Sequence, residues 1–191
     1  MKKVVCVQGS PRSNGNSETI ARKFLETAES LGAQIQAFSL NELTFKGCQA
    51  CMGCKTGSDE CVVADDLRDV LRAVRDADVL VMTSPIYFGQ ITGQLKCFID
   101  RMYSFFKPTY GSGSDRSRLS PGKKLVFITT QGNADAGAFD VYPAYATFLG
   151  PEWFGYETHV IRGLGLGAKT DAAGREDLLK QAEDLAKQLV L

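Results

Sequence analysis

Four cysteines lie close together in the chain, at positions that could bind a common metal centre. Cys48, Cys51, Cys54 and Cys61 have the spacing C-x2-C-x2-C-x6-C. Two successive C-x2-C steps can turn their thiolates toward one point, which is the geometry that an iron-sulfur cluster or a zinc ion requires. Redox-active free thiols are the alternative interpretation. A zinc ion is the less typical choice, because zinc sites usually separate two cysteine pairs by a longer segment.

A second group of candidate residues lies in the polar loop Gly9–Glu18. The loop ends where helical spacing begins, so free backbone N–H groups and the helix dipole would favour an anion there. The hydroxyls of Ser10 and Ser17 and the guanidinium of Arg12 could bind a phosphate. Because the loop has neither the G-x-G-x-x-G pattern nor a P-loop ending, it favours a mononucleotide. The alternative is an ordinary helix cap, for which Ser and Asn are also preferred.

Two further loops follow predicted strands. Ser84–Gly89 contains Tyr87, Phe88 and a glycine, a combination that could hold a flat ring such as an isoalloxazine against apolar side chains and backbone amides. Thr129–Asn133 is polar and turn-forming, which suits the polar edge of such a ring. The alternative is that the two aromatic side chains only cover the edge of a sheet.

The elements that must position these loops follow an alternating pattern. Short β-rich runs alternate with amphipathic stretches, which is typical of parallel strands joined by helices. We predict strands at Val4–Gln8, Ala33–Leu40, Val79–Thr83, Lys124–Thr130 and Tyr156–Ile161. Helices are predicted from about Asn16 to Leu31, from Asp65 or Asp66 through Val74, from Ile91 to Tyr103, from about Phe139 to Leu149 and from about Ala172 to Leu191. The predicted fold class is α/β, a three-layer, doubly wound, five-stranded parallel sheet of flavodoxin-like order 2-1-3-4-5.

In such sheets, ligands bind beyond the carboxyl ends of the strands, so the loops after strands one, three and four should meet. The 191 residues fit one domain, 1–191, with a cysteine-rich insertion at about 45–64. The Gly-, Ser- and Pro-rich stretch Lys107–Gly122 has no periodicity, and we expect it to be functional or mobile. Gly163–Gly167 is predicted to be a flexible connection.

Charge and hydropathy exclude several classes of partner. The chain has 22 basic and 22 acidic residues, so it lacks the basic excess that nucleic-acid binding needs. No apolar run is long enough to span a bilayer, and the first residues lack a signal-peptide core, so we expect no membrane partner and a cytoplasmic location. A reducing compartment favours metal ligands or redox thiols over disulfides.

Taken together, these motifs resemble the NADPH-dependent FMN reductase superfamily, and within it the iron-sulfur flavoprotein branch. The resemblance is carried by Gly9–Arg12 with Gly15–Ser17, Ser84–Tyr87 with Gly93 and Lys96, Asp100–Arg101, and the four cysteines followed by Asp65–Asp66.

The resemblance implies FMN as cofactor and a role for each matching residue. Ser10, Arg12, Asn16 and Ser17 would bind the phosphate, Pro85, Ile86, Tyr87, Phe88 and Gly89 would line the ribityl chain and ring, and Thr130, Gln131 and Gly132 would contact the ring. Cys48, Cys51, Cys54 and Cys61 would bind a 4Fe-4S cluster. Asp100 and Arg101 would serve subunit packing in a homodimer or homotetramer.

The resemblance also implies an FMN-dependent NAD(P)H oxidoreductase. Electrons would pass from a reduced nicotinamide or ferredoxin through FMN to a small acceptor such as a quinone or nitroaromatic. No catalytic side chain is needed, because the cofactor carries the chemistry. The alternatives are a non-enzymatic electron carrier between redox partners and a thiol sensor with a bound flavin.

Overall fold

The computed structural model describes residues 1–113 and 115–191, and its centre is one parallel β-sheet. The strands are β1 (Lys3–Gln8), β2 (Gln34–Ser39), β3 (Val79–Pro85), β4 (Lys124–Thr130) and β5 (Glu157–Gly163), in the order β2-β1-β3-β4-β5. The inner strands β1, β3 and β4 are near-continuous apolar runs, as expected for strands covered on both faces. The predicted fold class and strand order are confirmed.

Helices cover both faces of this sheet. They are α1 (Asn16–Ser30), α2 (Gly53–Thr56), α3 (Leu67–Asp76), α4 (Gly93–Arg101), α5 (Tyr142–Leu149) and α6 (Glu176–Val190). Alternate strand residues point to opposite faces, so Val4 and Cys6 pack with α1 and α6, whereas Val5 and Val7 pack with α3 and α4. Within the described ranges, no helix is long and apolar enough to cross a membrane.

Most differences from the predicted boundaries have local causes. β3 and β5 each run two residues beyond the prediction, because Pro85 and Gly163 both pair with Thr130 at the end of β4. α4 begins at Gly93 rather than Ile91, since the Thr92 side chain accepts a hydrogen bond from Leu95 N and caps the helix.

Two helix starts were predicted too early. Phe139 has φ +56°, which is not helical, so α5 begins only at Tyr142. The predicted start of the last helix at Ala172 lies in a separate 3₁₀ turn, Asp171–Gly174, which precedes α6.

The stretch Lys107–Gly122, which we expect to be functional or mobile, is hydrogen-bonded to the segment that follows α4. Phe106 and Ser117 form a β-bridge, and Arg118 N donates to Phe105 O at 2.7 Å. The Arg118 guanidinium donates to Cys54 O at 2.9 Å, so this stretch also supports the cysteine-rich insertion. Ser114, within the predicted loop, lies outside the described residues.

Gly9, directly after β1, fits only without a side chain. A Cβ at this position would lie 2.7 Å from Leu95 Cβ and 2.9 Å from both Thr83 O and Thr92 Oγ1. We expect Gly9→Ala to lower the free energy of unfolding by about 1–3 kcal/mol through overpacking, measured by urea denaturation. Gly93→Ala is the matched control, because a Cβ there meets nothing within 4 Å. Equal stability of the two variants would contradict this account of the packing.

Candidate functional site

A cavity of about 220 Å³, here the smaller cavity, lies at the carboxyl ends of β1, β3 and β4. The structure brings most of the predicted cofactor-binding residues together there: Ser10, Arg12, Asn16, Ser17, Pro85, Ile86, Tyr87, Thr130, Gln131 and Gly132. Gly15, Leu166, Gly167 and Lys169 complete its lining. The parallel pairing of the strands explains this convergence, because all their carboxyl ends meet at one edge of the sheet.

One end of the smaller cavity suits a phosphate. Gly15 is the N-cap residue of α1, and no side chain caps the helix. The first N–H groups of α1 have no partner within the helix, and Asn16 and Ser17 place them at the cavity wall. The structure thus contradicts the alternative of a Ser or Asn side-chain cap and leaves positive helix-end charge available to an anion.

The Asn16 side chain, at a position predicted to bind the phosphate, is hydrogen-bonded within the chain. Its Nδ2 donates to Ala168 O at 2.7 Å and to Leu166 O at 3.5 Å, and its Oδ1 accepts from Ala172 N at 2.9 Å. Both ends of the amide are therefore used within the chain, and only the backbone N–H of Asn16 remains for a ligand.

Sequence reasoning missed the segment after β5. Leu166, Gly167 and Lys169 line the smaller cavity, whereas Gly163–Gly167 was predicted to be only a flexible connection. The rule that ligands bind at strand carboxyl ends would have found this segment, had it been applied to β5 as well.

Phe88 and Gly89 are the predicted residues that do not line the smaller cavity. They have φ +49° and +75°, and Tyr87 and Gln90 exchange two backbone hydrogen bonds of 2.8 and 3.0 Å around them. This is the pattern of the mirror-image turns found in hairpins. The turn leaves the Phe88 side chain fully exposed, while Tyr87 lines the cavity and is 40% exposed.

Gln131 lines the smaller cavity, and its side-chain nitrogen is bonded within the loop after β4. Its Nε2 donates to Asn133 O and Ala138 O, both at 3.1 Å, and so shapes the loop between β4 and α5. The amide nitrogen is therefore used within the chain, and the neighbouring Thr130 and Gly132 also line the cavity.

The cysteines line a separate, mostly apolar cavity of about 720 Å³, here the larger cavity. Cys48 and Cys51 are exposed, Cys54 is buried in α2, and Cys61 is partly buried. In the part of the chain that the structure describes, no three or more Cys, His, Asp or Glu side chains form a group that could hold a metal ion. The four thiols thus share one cavity but, as arranged, do not fit a cluster.

The other two cysteines are consistent with small apolar side chains. Cys6 is fully buried in β1, and burial raises the pKa of its thiol to about 12. Cys97, in α4, is partly buried, and its Sγ would lie 3.3 Å from a Cβ built on Gly47. Cys6 is therefore an unreactive thiol at neutral pH.

The Arg101 side chain is hydrogen-bonded to both ends of the cysteine-rich insertion. Its Nη1 and Nη2 donate to the two oxygens of Asp65 at 2.8 and 3.1 Å. The same nitrogens donate to Lys46 O at 2.9 Å and Val63 O at 3.2 Å, and Nε donates to Cys61 Sγ at 3.0 Å. The Arg101 side chain is fully buried within the chain, so its interpretation as a subunit-packing residue is wrong.

The charges in this network stabilise one another. Burial alone would raise the pKa of the Asp65 carboxyl, but hydrogen bonds from Arg101 and from Lys46 N outweigh it and hold that pKa below its usual value. Asp65 also accepts a bond from Leu67 N at 3.2 Å, which fixes the start of α3. Asp100, by contrast, forms an exposed ion pair with Lys96 at 2.6 Å.

Lys55 holds the middle of the insertion. Its Nζ donates to Tyr103 O at 2.6 Å and Phe106 O at 2.8 Å, and it lies 4.1 Å from the centre of the Tyr103 ring. Burial lowers the pKa of Lys55. This side chain ties α2, and with it Cys54, to the turn that follows α4.

A family model described as NADPH-dependent FMN reductase matches residues 2–148. The chain belongs to the NADPH-dependent FMN reductase family. The resemblance stated from the sequence motifs is therefore confirmed. As its name states, the family is one of reductases.

Individual relatives of this FMN reductase family member agree with that assignment. It is 33% identical over 99 residues to an iron-sulfur flavoprotein of Methanocaldococcus jannaschii, covering 52% of this chain and 51% of that protein. The chain thus matches about half the length of such curated relatives.

Two solved structures share the fold. One is an FMN-dependent NADH-azoreductase from Bacillus anthracis in complex with FMN, with a TM-score of 0.70, 17% identity and full coverage of both chains. The other is an NAD(P)H:quinone oxidoreductase from Methanothermobacter marburgensis, with a TM-score of 0.70, 16% identity and 98% coverage of both chains.

Removing the buried charge of Arg101 should destabilise this family member strongly. We expect Arg101→Met to lower the free energy of unfolding by about 3 kcal/mol, because Asp65 then keeps a largely buried charge without its partner. Lys96→Met on the same helix is the matched control, since it removes only an exposed ion pair, worth about 0.5 kcal/mol. Urea denaturation measures both. A loss for Arg101→Met no larger than that for Lys96→Met would show that the network does not stabilise the fold.

Proposed function

We propose that the protein is an FMN-dependent NAD(P)H oxidoreductase whose FMN binds in the smaller cavity. The observation that carries the proposal is the convergence of the loops after β1, β3 and β4 on one cavity that begins at an uncapped helix end. Membership in the FMN reductase family supports it independently.

In this proposal, each wall of the smaller cavity binds a different part of FMN. The free N–H groups of α1, with Ser17 and Arg12, bind the phosphate, because all of them can donate to its oxygens. Ser10 joins them once its hydroxyl, which donates to Arg12 O at 3.2 Å, turns to the phosphate. Tyr87 and its neighbours Pro85 and Ile86 contact the ribityl chain and ring, and the backbone at Thr130, Gln131 and Gly132 meets the ring's polar edge. When bound, FMN supplies the ability to take a hydride from NAD(P)H and to pass electrons on.

For the electron acceptor, we propose a small flat molecule such as a quinone or nitroaromatic. Tyr87 lines the cavity and is partly exposed, and the exposed Phe88 follows it in the chain. The exposed Phe139 ring lies close to Gly89, because a Cβ built on Gly89 would be 3.3 Å from Phe139 Cδ1. Exposed aromatic faces favour contact with flat ring systems. The names of the azoreductase and the quinone oxidoreductase of similar fold agree with this class of acceptor.

For the cysteines, we propose a 4Fe-4S cluster bound after local rearrangement. The names of the iron-sulfur flavoprotein relatives support it, as does the shared cavity of Cys48, Cys51, Cys54 and Cys61. Cys48 and Cys51 are exposed, so a change in their positions would not disturb the core.

Partners and assembly also belong to the proposal. Ferredoxin is an alternative electron donor. A homodimer or homotetramer would cover the exposed apolar side chains of Met52, Val62 and Phe148 at the larger cavity.

NAD(P)H should reduce the bound FMN fast enough for turnover. Purified protein, loaded with FMN and mixed with NADH or NADPH without oxygen, should lose its flavin absorbance at a rate at least equal to kcat with a quinone acceptor. Reduction slower than kcat would reject the enzyme hypothesis. Reduction by ferredoxin but by neither nicotinamide would support the electron-carrier alternative.

Protein purified without oxygen should contain about four irons per chain if the cysteines bind the cluster. Cys51→Ser should lose the iron while keeping FMN, because the two cavities share no lining residue. Cys6→Ala is the control, since Cys6 lies in β1 outside the insertion, and it should keep its iron. Flavin without iron in the wild-type protein would reject the cluster and leave redox thiols as the explanation.

A further inference from the structure

We propose that Lys169 supplies a second positive charge to the phosphate of FMN, and that Asn16 is the positioning residue that holds Lys169 at the smaller cavity. The inference rests on the proposed function, because the phosphate in question is that of FMN. In this inference the Asn16 side chain positions Lys169 instead of binding the phosphate, and Lys169, from the segment after β5, joins the residues that bind the phosphate.

Asn16 connects the start of α1 to this segment on both sides of Lys169. Its Nδ2 donates to Ala168 O at 2.7 Å, directly before Lys169, and its Oδ1 accepts from Ala172 N at 2.9 Å, three residues after it. One amide side chain therefore fixes both ends of the turn that carries the lysine.

Further hydrogen bonds hold the segment Leu164–Ala172 in place. Leu166 N donates to Gln131 O at 2.9 Å, and the Arg175 Nη1 donates to Leu164 O at 2.9 Å. Ala168 N donates to Asp171 Oδ2 at 2.7 Å, so this carboxylate is used by the backbone beside Lys169. The segment is bonded to α1, to Gln131 directly after β4 and to Arg175 directly before α6, and the exposed Lys169 is one of the residues that line the cavity.

The charge of the ligand calls for more than one cation. A phosphate monoester carries about −1.5 to −2 charges at neutral pH. Arg12 and Lys169 are the basic side chains in the lining of the smaller cavity, and they come from opposite ends of the chain. Within residues 1–113 and 115–191, no ion pair engages Lys169. Glu18, in the first turn of α1, accepts a bond from Asn14 N at 2.6 Å. Lys169 thus adds to Arg12 and the α1 dipole a charge that the phosphate can use.

Comparing FMN with riboflavin isolates the phosphate, because the two ligands differ only there. The full-length protein, freed of flavin, is titrated with each ligand by flavin fluorescence. Lys169→Met should weaken FMN binding about fivefold to tenfold and leave riboflavin binding unchanged, the loss expected for one partly exposed charge-assisted contact. Lys169→Arg should restore the FMN preference. Lys2→Met, which removes an exposed lysine at the opposite edge of the sheet, is the matched control and should bind both flavins like the wild type.

The role of Asn16 is tested by a double-mutant cycle. Asn16→Ala should reduce the FMN preference in the wild-type background, and by clearly less when Lys169 is already Met, because Asn16 acts through Lys169. A loss of the same size in both backgrounds, or an equal loss of FMN and riboflavin affinity, would overturn the positioning role. A Lys169→Met variant with the wild-type FMN preference would overturn the inference while leaving the proposed function intact. A wild-type protein that binds riboflavin as tightly as FMN would instead reject the proposed phosphate site, and the inference with it.

Discussion

The arrangement of the cysteine-rich insertion depends on one buried ion pair, Arg101 with Asp65. A guanidinium has five N–H donors, and all five have partners here: two on Asp65, two on backbone carbonyls and one on Cys61 Sγ. A buried charge with any donor left unpaired would be costly, so this set of bonds permits few alternatives for the chain around it. The insertion is thereby fixed at both ends while the stretch with Cys48 and Cys51 stays at the surface.

The register of the sheet imposes a comparable constraint on the smaller cavity. Pro85 of β3 and Gly163 of β5 both pair with Thr130 of β4, so three loops leave the sheet at the same level. The loop after β1 joins them because Gly9 N donates to Thr83 O at 2.8 Å. Side chains that are far apart along the chain therefore meet without any loop having to reach across the protein.

The two cavities are distinct but adjacent. Tyr145 lines the larger cavity, and its hydroxyl lies 3.5 Å from Gln90 Oε1. Gln90 in turn pairs with Tyr87, which lines the smaller cavity. One α5 side chain and one tight turn thus connect the linings of the two cavities. The turn itself places Phe88 in a left-handed conformation, a strain that proteins more often keep at functional sites than elsewhere.

The sequence by itself determined the α/β fold, the strand order, the family and most of the residues around the smaller cavity. Alternating apolar runs and loops such as Gly9–Glu18 are local patterns, and the pairing rules of parallel sheets convert them into a topology. Only the tertiary structure decided the partners of Arg101 and Asn16, which lie 36 residues away at Asp65 and 152 residues away at Ala168. Neither Asp65 nor Ala168 carries a local signal for its partner, because packing selects such long-range hydrogen bonds after the elements have formed. The segment with Lys169 differs, because the rule for strand carboxyl ends points to it from the sequence, and the structure adds only the hydrogen bonds of its neighbours that place it at the cavity.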